Sequence, residues 1–164
     1  MKILIVTDTF IPEINGAAIA IDRIARELSK RHDVLIVCPE YPGYNDNNNT
    51  TTQSNKNLRI ARIPSCAFPF YKTMRFALFN PRNITNIVTE FSPDVIHIHT
   101  PLSLGIFFAV KKWQCKKIIT FHTLVNEQLE DFSPSKIVGK TIKEAVMDKL
   151  VWRLLLKFHN YADI

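Results

Sequence analysis

The sequence predicts an α/β protein built as a doubly wound, mostly parallel sheet with helices on both faces. Three observations lead there. Short β-branched runs recur at 2–7, 34–38, 94–100 and 117–123, each apolar enough to be buried on both sides. Segments with apolar side chains at helical spacing separate them. The first strand, helix and strand fit within residues 2–38, the compass of one βαβ crossover.

The elements follow in order. Lys2–Thr7 reads as a buried parallel strand, and a loop with Pro12 and Gly16 follows it. Over 17–31, Ile21, Ile24, Ala25 and Leu28 share one helical face, with Arg23, Arg26, Glu27 and Lys30 opposite. Residues 34–38 form the second strand. The stretch 41–57 is Asn-rich and poor in apolar side chains, so it reads as a surface loop. Residues 58–63 alternate as a strand with one solvated face, and Pro64 ends it. The segment 64–81 is aromatic-rich (Phe68, Phe70, Tyr71, Phe76, Phe79) with Lys72 and Arg75 between, and no regular element is assigned to it. A helix near 82–91 stops at Ser92-Pro93. The strand 94–100, a helix over 103–113 and the strand 117–123 continue the pattern. A long helix over 140–160 carries Ile142, Val146, Leu150, Leu154 and Phe158 on one stripe, and 162–164 resembles the first residues of a further strand.

Composition narrows the class. The chain has 164 residues, 46% apolar and 22% charged, the profile of one globular domain rather than of a disordered chain or a disulfide scaffold. Its net charge of +6 is uneven, at −2 over 1–50, +4 over 51–100 and +4 over 101–164. A phosphate-bearing ligand, an anionic membrane surface and nucleic acid all fit that balance, as do ordinary solvated lysine faces. Cys38, Cys66 and Cys115 are odd in number and lack paired spacing, which suggests neither zinc nor disulfides and makes reducing cytoplasm the default. The apolar runs fall short of a signal peptide's core or a membrane span.

In open parallel sheets, ligands bind beyond the carboxyl ends of the strands, where loops diverge and helix N-termini present free N–H groups. Three polar loops lie at such ends: Asp8, Thr9, Asn15 and Gly16 in the first, His99 and Thr100 in the second, His122 and Thr123 in the third. Gly16 would let a phosphate approach the backbone at a helix start, although Asn-Gly also marks ordinary turns. The dinucleotide glycine fingerprint is missing, though Glu40 stands where a ribose-binding acid would, and the Gly-Lys-Ser/Thr of a P-loop is absent. His97 and His99, two apart in a strand, point to one face; no third metal ligand stands near them, and structural histidines are the favoured reading. His99 lies nearer the carboxyl edge, and His122 occupies the equivalent point of the next strand. A histidine there can donate a hydrogen bond to a sugar hydroxyl or to developing charge. There is no Gly-x-Ser-x-Gly elbow, and no cysteine stands in a reactive setting.

Taken together, TDTFIPEINGAA, IPSCAFPFYKTMRFAL, SPDVIHIHTPLSLG and TFHT, with the closing WRLLLKFHNYADI, resemble the N-terminal half of family 4 glycosyltransferases of GT-B architecture. The likeness is strongest to members that glycosylate membrane lipids. It implies a Rossmann-like domain over 1–164, cut from a two-domain enzyme whose C-terminal nucleotide-sugar-binding half is absent. It also implies a retaining, metal-independent transfer of a sugar from a UDP- or GDP-linked donor to an acceptor hydroxyl of a lipid or glycan. By motif match, Gly16 would meet the donor diphosphate, His122 would sit at the reacting centre as the catalytic residue, and Asp8, Asn15, His99 and Thr123 would line the acceptor side. The family's second half carries two glutamates separated by seven residues; no pair of glutamates in this sequence has that spacing, so the chain alone is expected to be inactive.

Residues 68–82, with Phe70, Tyr71, Lys72 and Arg75, suit contact with a membrane interface and its headgroups, which would place the protein in the cytoplasm at the membrane's inner face. Packing of those aromatics against the sheet is the competing reading. Nucleic acid is not an expected partner, because aromatic and basic residues do not alternate in an RNA-binding pattern. The alternative to an enzyme domain is a non-catalytic, membrane-associated or nucleotide-binding α/β module.

Overall fold

The computed structural model describes residues 1–46, 55–68, 71–99 and 103–122. Within them seven strands and three helices follow one another: β1 (Lys2–Thr7), α1 (Gly16–Ser29), β2 (Asp33–Pro39), β3 (Leu58–Ile63), β4 (Ser65–Phe68), β5 (Tyr71–Ala77), α2 (Pro81–Phe91), β6 (Val95–His99), α3 (Leu104–Val110) and β7 (Lys116–Thr120). The anticipated helix over 140–160, the strand start at 162–164 and residues 47–54 of the Asn-rich stretch lie outside the described residues.

Five strands form one sheet in the order β3-β2-β1-β6-β7, all parallel, so the expected doubly wound α/β fold is the observed one. The chain starts at the centre, builds out to β3, then returns to the other side of β1. The strand order therefore reverses between β1 and β6, and the crevice at such a switch point is where open sheets bind ligands.

Alternation along the strands divides the core in two. Ile3, Ile5, Val34, Ile36, Cys38 and Leu58 pack with Ile21 and Ala25 of α1 on one face. Leu4, Val6, Leu35, Val37, Ile96 and Ile98 pack on the other, with Ile84, Val88 and Phe91 of α2 and Leu104 and Phe108 of α3. A period of two explains this: each strand sends successive side chains to opposite faces, and both are covered by helix. Because Ile96 and Ile98 point to the α2 and α3 side, His97 and His99 lie on the α1 side of the sheet.

Two elements depart from expectation. The unassigned aromatic stretch contains an antiparallel hairpin, with Ser65 paired to Ala77, Cys66 to Phe76 and Ala67 to Arg75, and an irregularity between Ala67 and Phe68. Its strands carry Phe, Tyr and Thr, good pleated-sheet residues, but Pro64 and Pro69 leave β4 only four residues between them, too few to show an alternation. The helix expected over 103–113 ends at Val110. Trp113 folds back instead, its Nε1–H donating to the Phe108 carbonyl at 3.0 Å and its ring stacking on Phe108 at 5.2 Å. Among the described residues no helix is long and apolar enough to cross a membrane.

Candidate functional site

The carboxyl ends of β1, β6 and β7 are side by side, with Thr7 in register with His99 and His99 with Thr120. The three loops singled out above therefore leave the sheet along one edge.

The first loop is held by its own polar side chains. Thr9 Oγ1 donates to Glu13 Oε2 at 3.0 Å, and the Asn15 amide donates to Thr9 Oγ1 at 2.8 Å and to Glu13 Oε1 at 2.9 Å. Asn15 Oδ1 in turn accepts from the Ala18 N–H at 2.8 Å and so caps α1. Tyr41, from the loop after β2, donates its hydroxyl to Glu13 Oε2 at 2.6 Å. Burial, reinforced by the adjacent carboxylate, pushes the tyrosine's pKa up and keeps it protonated. Glu13 and Tyr41 had no local signal in the sequence, because the bond joins residues 28 positions apart.

Asn15, expected on the acceptor side, thus commits its amide to capping and loop closure. Asn15→Ala is expected to cost about 1 kcal/mol of stability, the usual worth of an N-cap, read as a lowered urea midpoint. An unchanged midpoint would refute the capping role.

Asp8, expected to line the acceptor side, is 1% exposed and faces into the fold. Its carboxylate accepts from Ser103 Oγ at 2.5 Å and from the N–H groups of Leu104 and Gly105 at 2.8 and 3.0 Å. A carboxylate at a helix start satisfies N–H groups that have no intrahelical partner and meets the positive end of the helix dipole.

Gly16 is exposed and opens α1, and a Cβ built on it would meet nothing within 4 Å. Neither backbone conformation nor packing within the described chain demands glycine there.

The histidines converge. His99 Nδ1 lies 2.7 Å from His122 Nε2, with the rings nearly parallel at 18°. The His97 ring lies 3.9 Å from that of His99 between centroids, and its Nε2 is 2.8 Å from Thr120 Oγ1. Burial holds all three below the usual imidazole pKa, with neighbouring imidazoles adding to the effect on His97 and His99; His99 is pushed down to about 3. The row is therefore neutral at pH 7. His99 was expected to line the cleft, but its side chain is fully buried, and it reaches the edge through His122, which is half-buried.

The remaining candidates divide. Thr123 and Phe70 lie outside the described residues, as do the side chains of Tyr71 and Lys72. Arg75, expected to meet headgroups, donates from Nε and Nη2 to the hydroxyl and carbonyl of Ser65 across its own hairpin, at 3.0 and 2.9 Å. Cys38 is buried, which pushes its thiol up to about 12 and leaves it unreactive.

Comparison with known proteins bears on this edge. The chain is 29% identical over 166 residues to a GDP-mannose-dependent alpha-mannosyltransferase of Mycolicibacterium smegmatis, covering 99% of this chain and 40% of that protein. It is 30% identical over 158 residues to an alpha-monoglucosyldiacylglycerol synthase of Streptococcus pneumoniae, covering 92% and 32%. A GDP-mannose-dependent alpha-mannosyltransferase of Corynebacterium glutamicum is 25% identical over 126 residues, covering 75% and 29%. The chain thus spans less than half the length of these relatives. The profile of Glycosyltransferase Family 4 matches residues 14–164. That span takes in α1, every described element after it and the paired histidines at the sheet edge, and the chain belongs to glycosyltransferase family 4.

Proposed function

We propose that this chain is the acceptor-side domain of a retaining glycosyltransferase that moves a hexose from a nucleotide-sugar to a hydroxyl of a membrane lipid. One observation carries the reading: at the carboxyl edge of a family 4 sheet, His122 is held by a buried partner, His99, at 2.7 Å.

The parts have distinct tasks. At the start of α1, the N–H groups of Gly16 and Ala17, ahead of the Ala18 N–H that Asn15 caps, would meet the donor diphosphate at the positive end of the helix dipole. His122, neutral at pH 7, supplies directed hydrogen bonding beside the donor sugar rather than fixed positive charge. The nucleotide and most of the sugar would be held by a second domain, as the length of the relatives suggests. The acceptor oxygen would bond to the sugar's anomeric carbon on the face from which the nucleotide phosphate leaves, and that phosphate would help take the acceptor proton, so no metal ion and no paired carboxylates are called for.

The lipid acceptor draws on the named activity of the pneumococcal relative and on exposed Phe76 in the hairpin and Leu78 just after it, 39% and 55% accessible. With the +4 charge over residues 51–100, these suit peripheral contact at the cytoplasmic face of an anionic membrane.

The test uses the protein at its full genomic length, with GDP-mannose and UDP-glucose as donors and liposomes containing diacylglycerol or phosphatidylinositol. Transfer of labelled sugar into lipid is expected, unaffected by EDTA. His122→Ala should lower kcat/KM about 100-fold, the scale for loss of a preorganised hydrogen-bonding group. Absence of transfer from a broad donor and acceptor panel, or a His122→Ala variant as fast as the parent, would overturn the proposal.

A further inference from the structure

We propose that His99 is a positioning residue: it donates Nδ1–H to Nε2 of His122 and so holds His122 as the tautomer protonated on Nδ1, a hydrogen-bond donor at its remaining nitrogen. The inference deepens the reading that His122 sits at the reacting centre, and rests on that reading for its role in the reaction.

The first support is geometric. A nitrogen-to-nitrogen distance of 2.7 Å leaves room for one proton between the rings, so one histidine donates and the other accepts. Two neutral arrangements satisfy the contact. Either His99 gives its Nδ1–H to His122, or His122 gives its Nε2–H to His99.

The far side of His99 distinguishes them. Its Nε2 is buried and has no hydrogen-bond partner among the described residues. If His122 were the donor, the proton of neutral His99 would sit on that Nε2, a buried N–H with no acceptor. If His99 is the donor, the same atom is a lone pair. Orphaned buried N–H groups are rarer than under-satisfied acceptors, and leaving a buried donor unmade costs about 1–3 kcal/mol. A doubly protonated His99 would have the same orphan donor plus an unpaired buried charge; burial opposes it, holding the pKa down at about 3.

The second support is rigidity. His99 ends a central strand, and the His97 ring lies on it at 3.9 Å, itself tethered to Thr120. His122 stands two residues beyond the end of β7 in a loop, so its orientation depends on the partner it meets. The strand pair thus works as a fixed post and the loop imidazole as the group aimed by it. It follows that His122 does not act as a general base through Nε2, because that lone pair is already occupied, and that its free nitrogen serves oxygen acceptors such as a sugar hydroxyl or a phosphate oxygen.

Two measurements on the protein at full genomic length test this. With imidazole nitrogens labelled, NMR is expected to show protons on His99 Nδ1 and His122 Nδ1, and a coupling across the hydrogen bond between His99 Nδ1 and His122 Nε2. A proton on His122 Nε2 would overturn the proposal whatever the enzyme transfers.

The kinetic arm compares His99→Phe, which keeps a ring and removes both nitrogens, with His99→Asn, whose amide nitrogen stands close to the lost Nδ1. His99→Phe should lower kcat about 10- to 100-fold, as expected for loss of an orienting partner, with little change in the donor KM. His99→Asn should recover most of that loss. Equal losses in both variants, with thermal melts showing both folded, would overturn the positioning role, as would a His99→Phe variant with parental kcat. If instead transfer is absent from the parent, the functional reading fails while the NMR result still decides the tautomer.

Discussion

Lowering the pH from 7 to 5 is expected to destabilise the protein by about 2 kcal/mol through His99 alone. The imidazole is fully buried, with a pKa of about 3 in the folded chain against 6.5 for the model group. Between those values the unfolded chain binds a proton that the folded chain refuses. The contribution is complete above pH 6.5 and is lost progressively as the pH falls toward 3, at up to about 1.4 kcal/mol per pH unit. His97 and His122 are shifted in the same direction by burial and steepen the loss. Urea titrations at pH 7 and pH 5 read the effect before most carboxylates are protonated. His99→Phe removes the dominant group, so its stability should fall much less over the interval; an equal fall in parent and variant would show that His99 is not responsible.

Asp8→Ala should cost about 3 kcal/mol, the scale for a buried carboxylate that accepts several hydrogen bonds. The carboxylate joins the end of β1 to the start of α3 across 95 to 97 positions of sequence. Removing it strands two N–H groups and a hydroxyl in a buried site and takes the favourable charge from the helix's positive end. A helix of seven residues has little stability of its own, so α3 depends on this anchor and on packing of Leu104 and Phe108. Asp8→Asn keeps one acceptor and should fall between parent and Ala. Hydrogen exchange should report the loss first at the amides of 104–110. An Asp8→Ala protein within about 0.5 kcal/mol of the parent would sink this account.

Both predictions concern residues whose place in the fold was easier to read than their partners. That His97 and His99 share a face follows from strand periodicity, and that residues 99 and 122 leave neighbouring strand ends follows from the α/β pattern. That His99 is buried and meets the edge only through His122 depended on the register of β6 against β7 and on which face of the sheet α1 covers. Asp8 shows the same division. A carboxylate just beyond a strand end suggests a ligand contact; whether it faces outward depends on where a helix 95 residues later begins. The hairpin of β4 and β5 was hidden for a different reason, since β4 is only four residues long between Pro64 and Pro69, too short to show the alternation by which a strand is recognised, and it is held by cross-strand bonds such as Arg75 to Ser65.

The sequence by itself determined the parallel strands, the helices between them, the strand edge at which the polar loops gather and, through four motifs in order, the family. Those properties rest on local periodicity and on residue types at short spacing. The tertiary structure alone decided which polar groups are scaffold and which are presented: Asp8 and Asn15 became caps, Arg75 became a hairpin tie, and His99 became the buried support of His122. The physical reason is that a polar side chain's role is set by the group it bonds and by whether water reaches it. Here those partners lie 2 to 97 positions away, and for the distant ones strand order and register, which no local pattern encodes, bring the two groups together.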